Sequence, residues 1–86
     1  MALDATQLLR IATLVDGAPS IREAARAVRT ELPGVLANIV DGIDVRGEKA
    51  AINVGSRRIF LVESEGHCWH ITSDPSRAGA VMLVQD

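Results

Sequence analysis

The residues predict an α+β domain, an N-terminal αα-hairpin packed on a four- to five-stranded antiparallel β-meander. Three observations carry this. Before Pro33, two segments repeat apolar residues at helical spacing behind residues suited to cap a helix. From Val35 onward, short runs rich in β-branched side chains alternate with glycine-containing turns. No repeat, low-complexity tract or linker divides the chain, so residues 1–86 read as one domain.

In the first helix, Leu8, Ile11, Ala12 and Val15 fall on one stripe. Asp4 is placed to accept from first-turn N–H groups, with Gln7 three residues on in the capping-box position, and Gly17 suits a left-handed closing residue. The helix is expected from Asp4 to Asp16. Ser20-Ile-Arg-Glu23 is a second capping box, and Ile21, Ala24, Ala25, Val28 and Leu32 trace the apolar face of the helix it opens. Pro33-Gly34 ends that run, because proline disfavours helical geometry in the residue before it.

Val35–Val40 fits a helical stripe through Leu36, Ile39 and Val40, yet its β-branched content favours a strand. Asp41-Gly42 is a turn, and the polar stretch to Lys49 reads as loop. Gly55-Ser56 suits a two-residue type II′ hairpin turn between Ala50–Val54 and Arg58–Glu63, and Ser64-Glu65-Gly66 suits a three-residue turn. A strand from His67 to Thr72 follows. Asp74-Pro75 reads as an N-cap with proline at the first position of a single helical turn. Ala80–Val84, apolar on both faces, returns as a buried strand.

Composition narrows the function classes. A net charge of −2 supplies no field for a polyphosphate backbone, and only Phe60 and Trp69 offer aromatic faces, so nucleic acid is an unfavoured partner. Cys68 is the single cysteine, which rules out an intrachain disulfide and makes the cytoplasm the expected compartment. The amino terminus lacks the pattern of a signal peptide, and the longest apolar run, Ala80–Val84, is far short of the roughly 20 residues a membrane span needs.

His67-Cys68-Trp69-His70 concentrates potential metal ligands. On a strand, Cys68 and His70 share one face and His67 and Trp69 the other, so at most two ligands converge, and zinc takes three or four. Glu63, Asp74 or Asp44 could complete such a site within the chain, or a symmetric dimer could duplicate the pair; the ordinary reading is a core cysteine with edge histidines. Arg22, Arg26 and Arg29 form a basic stripe on the second helix, either a docking surface for an acidic partner or a solvated face balanced by Glu23. Asp41, Asp44 and Glu48 lack the ligand spacing of a calcium loop. No nucleophile elbow, dinucleotide fingerprint or phosphate loop is present, and adjacent strand residues point apart, which defeats a triad of His70, Ser73 and Asp74. Trp69 is read as a core anchor or as the centre of a partner-binding patch, with core the stronger of the two.

Arg58-Ile-Phe-Leu-Val62, Gly66-His67-Cys68, Thr72-Ser-Asp74-Pro75 and Ala78-Gly79-Ala-Val81, together with Leu32-Pro33-Gly34-Val35, resemble a small bacterial domain family of unknown function. The resemblance spans about the last 54 residues, from Leu32 on. It implies a helices-then-sheet domain, sometimes found near nitrogen-fixation genes, with no established activity and no catalytic residues to carry over. Between Asp41 and Ala51 the chain departs from the family, which is more acidic there.

The sequence therefore points to a non-enzymatic accessory or interaction module without a cofactor, its partner another protein or a second copy. A winged-helix DNA binder, with residues 36–43 as a third helix, is the first alternative; a metal-binding or redox-sensing module through Cys68 and His70 is the second.

Overall fold

Asp4 and Gln7 exchange hydrogen bonds as a full capping box: Asp4 Oδ1 accepts from Gln7 N at 2.8 Å, and Gln7 Oε1 accepts from Asp4 N at 2.9 Å. They open α1 (Ala5–Gly17) in the computed structural model, which describes residues 3–65 and 68–86. The end of α1 departs from expectation. Gly17 is helical rather than left-handed, and Ala18 closes the helix in extended geometry. No left-handed residue is needed, because the Arg57 guanidinium supplies donors to carbonyls at this end.

Ser20 opens α2 (Ile21–Glu31), accepting from Glu23 N at 3.2 Å. Only this half of the expected box forms; the Glu23 carboxylate lies instead 3.9 Å from Arg26. Ala24, Ala25 and Val28 are fully buried, and side chains this small let α2 sit close to both α1 and the sheet.

The sheet comprises β1 (Leu36–Ile39), β2 (Ile52–Val54), β3 (Arg57–Glu65), β4 (Cys68–Thr72) and β5 (Ala80–Gln85). The strand reading of residues 36–39 is met, so no third helix forms there and the winged-helix arrangement does not arise. Gly55, at φ +58°, takes the first position of the two-residue turn joining β2 to β3, as a type II′ turn requires. β3 runs on through Ser64 and Glu65, which the sequence assigns to a turn; Gly66 and His67 lie outside the described residues. A 3-10 turn at Gly42–Val45, capped by Asp41, interrupts the expected loop, and another at Pro75–Arg77, capped by Asp74, is the predicted single helical turn.

The sheet is mixed, not an antiparallel meander. β5 lies between β1 and β3, parallel to β1 and antiparallel to β3, while β2 and β4 follow one another along the other edge of β3. The apolar pattern explains the correction. Both β3, through Ile59–Val62, and β5, through Ala80–Val84, carry buried residues on both faces, and such strands lower the free energy most in central positions.

On one face, Ile59, Leu61, Val81, Leu83 and Ala37 pack beneath Ile11, Val15 and Val28 of the helices. On the other, Phe60 and Val84 pack against Val45 from the 3-10 turn, with Val40, Ala50, Ile71 and Met82 at the margin. Among the described residues no helix is long and apolar enough to cross a membrane.

Candidate functional site

Only half of the sheet face turned away from the helices is covered. Residues 40–50 fold back over Phe60 and Val84 and bury them completely. Strand alternation places Leu36, Asn38, Val62, Ala80 and Met82 on the same face, through the register pairs Leu36↔Ala80, Asn38↔Met82 and Phe60↔Met82. Beyond the loop no second layer of described residues lies over them.

There a groove of about 290 Å³ is lined by Asn38, Val40, Val62, Trp69, Ala80 and Met82. Val62 and Ala80 form its buried floor, whereas Trp69 is 55% exposed and Leu36, beside Ala80, is equally exposed. The core reading of Trp69 is thus overturned. β4 pairs with the far end of β3, Ser64 opposite Trp69, past the reach of the covering loop. Among the described residues the groove is lined by apolar side chains and one amide, Asn38, a lining suited to recognition of a surface.

Arg22, Arg26 and Arg29 line one groove together with Ser20, Glu23 and Ile39. They are not equivalent. Arg29 donates through Nε and Nη2 to Ala37 O at 2.9 and 2.6 Å, fastening α2 to β1, while Arg26 stands 3.9 Å from Glu23.

The register sets His70 opposite Glu63 and Cys68 opposite Glu65. Glu63 is committed elsewhere, its Oε2 accepting from Arg77 Nε at 2.8 Å. Among the described residues no group of three or more His, Cys, Asp or Glu side chains is placed to hold a metal; His67 and the Cys68 side chain lie outside them. Asp74 is likewise engaged. Its carboxylate accepts from the Ser76 hydroxyl at 2.7 Å and the Ser76 amide at 3.0 Å, and these bonds, the hydroxyl's first, hold its pKa below the ordinary aspartate value. It caps a helical turn, and among the described residues it orients no histidine.

Sequence reasoning missed a cleft of about 500 Å³ where β2 and β4 leave the edge of β3. Leu8, Ile52, Leu61 and Ile71 form its aliphatic walls, and Lys49 and Ser73 stand at its polar rim. The sequence held no signal for it: the two strands were expected at similar lengths, Ala50–Val54 and Arg58–Glu63, whereas β2 has three residues and β3 nine, and so short a partner leaves part of the long strand's edge to another.

Comparison with protein-family models, with curated proteins and with solved structures finds no match to this chain.

Proposed function

We propose that this protein is a non-enzymatic interaction module of a bacterial cytoplasmic system, and that a partner protein seats an apolar surface on the open half of its sheet. The observation that carries the reading is Trp69, half-exposed above a floor of Val62 and Ala80 with Met82 and Leu36 alongside. A large aromatic at the rim of an apolar groove is the pattern of an interface anchor, because its desolvation is deferred until a partner arrives. The resemblance of the chain from Leu32 on to a small bacterial family supports an accessory role, with nitrogen fixation the first system to examine.

The test is site-specific photocross-linking in cells from positions 36 and 82, in the otherwise unaltered chain and in Trp69→Asp. One protein species should be captured from both positions and lost in the variant, with circular dichroism unchanged. A captured species of twice the chain's mass would identify the partner as a second copy. Capture unaffected by Trp69→Asp, or no capture together with turnover in a broad substrate screen, would refute the reading.

A further inference from the structure

The sheet ends at β1, and α2 overhangs that end. Val40 N donates to Leu83 O at 3.0 Å, so the even-numbered positions of this strand turn their backbone groups to β5, and Ala37 and Ile39 turn theirs outward. Two of the groups along this edge are already taken. Val35 N donates to Leu32 O at 2.9 Å, and Ala37 O accepts the two bonds from Arg29. Strand pairing at this edge thereby centres on the Ile39 end, where the N–H and C=O of a 42%-exposed residue face outward next to the Ala37 N–H.

The groove beside that edge, about 340 Å³, is lined by Ser20, Arg22, Glu23, Arg26, Arg29 and Ile39. Positions 22, 26 and 29 fall on one side of α2, at i, i+4 and i+7. Three guanidiniums face one carboxylate. That carboxylate, on Glu23, stands 3.9 Å from Arg26, beyond hydrogen-bond length, and among the described residues no ion pair engages Arg22. An open strand edge lined by unbalanced positive charge asks for an extended, negatively charged ligand.

We propose that this groove binds an acidic extended segment of a partner polypeptide, which adds to β1 as a sixth strand at Ile39 and sets its carboxylates against Arg22 and Arg26. Alternation dictates the segment's pattern. Residues on the helix side of the added strand meet the arginines, and those between them turn to the other face beside Asn38 and Val40, so acidic and apolar residues alternate. Arg29 keeps its place as the clamp on Ala37. Its charged contacts lie on the helix side of the sheet and the Trp69 groove on the other, so charge reversal at Arg22 and Arg26 tests it without altering Trp69.

The experiment is a titration of the full ¹⁵N-labelled chain with a synthetic octapeptide alternating glutamate and valine, followed by NMR. A lysine–valine peptide and inorganic phosphate serve as comparisons. The Ile39 amide should shift and exchange with solvent at least about tenfold more slowly when the acidic peptide is bound, and added salt should weaken binding. Arg22→Glu combined with Arg26→Glu should weaken it about tenfold or more, while leaving the spectrum of the free protein folded. Four results would overturn the proposal: no binding of the acidic peptide at millimolar concentration, binding without a response at Ile39, equal binding of the lysine peptide, or phosphate producing the same response, which would make this a small-anion site.

Discussion

The Arg57 guanidinium donates to the carbonyl of Val15, 2.7 Å away across 42 residues of chain. The same nitrogen donates to Ala18 O at 2.6 Å, and Nε donates to Gln85 Oε1 at 2.7 Å. One side chain on the first residue of β3 thus ties the end of α1 to the end of β5. A cation here also opposes the partial negative charge at the helix C-terminus.

Replacing Arg57 with alanine should therefore destabilise the fold by about 1.5–3 kcal/mol, the range for a charged hydrogen-bond donor whose acceptors are left unpaired. Arg57→Lys should recover part of this, since one ammonium has no planar fork to reach both α1 carbonyls and Gln85 together. Urea denaturation of the three proteins checks the order.

Phe60 is fully buried between the sheet and the segment carrying Val45, and Arg58 stands 5.7 Å from its ring centre. Phe60→Ala should cost about 3–5 kcal/mol, the lost transfer energy plus the cavity left behind. Hydrogen exchange should quicken first over residues 41–50, which rest on this ring. Uniform quickening throughout would show that the covering loop and the sheet unfold as one unit.

Trp69 gives the opposite expectation. At 55% exposure, its replacement by alanine should change stability by less than about 1 kcal/mol. As the single tryptophan, it also reports its own surroundings. Acrylamide should quench its emission readily in the free protein and poorly once a partner covers the groove.

Asp74 makes a prediction about pH. Its carboxyl is held below the ordinary value first by the Ser76 hydroxyl, then by the Ser76 amide, with the charge of Arg77 adding to both. A carboxyl with a folded pKa below its unfolded one contributes stability that is fully present above the unfolded value, about 3.9, and is lost as pH falls through the folded value. Asp74→Asn should be less stable than the parent by a constant amount above about pH 5, and the gap should shrink as the solution is acidified further. Paired thermal melts across that range check it, and a gap that widened on acidification would contradict the assignment.

Residues 4–7 and 20–23 marked the starts of both helices, and Gly55-Ser56 and Asp74-Pro75 marked a hairpin turn and a helical turn. Each of these signals acts within three residues, as a side chain on nearby backbone or, at Gly55, as freedom to take a positive φ, so the chain's linear order already holds the whole interaction. The basic stripe of Arg22, Arg26 and Arg29 was legible for the same reason, being a matter of helical spacing. The special role of Arg29 was not, since its acceptor belongs to another element, Ala37 of β1.

Determined by the sequence alone, then, were the two helices, the strand runs, the turns at Gly55-Ser56 and Asp74-Pro75 and the α+β class, all products of local backbone preference and apolar periodicity. Tertiary structure alone decided that β5 enters between β1 and β3, that Arg57 closes α1, and that Trp69 stands in the open while Phe60 is covered. These outcomes depend on which distant surfaces share a limited amount of covering layer. A short loop from residue 40 to residue 50 seals one half of a sheet face and not the other, and that allocation is settled only when all the strands are in place.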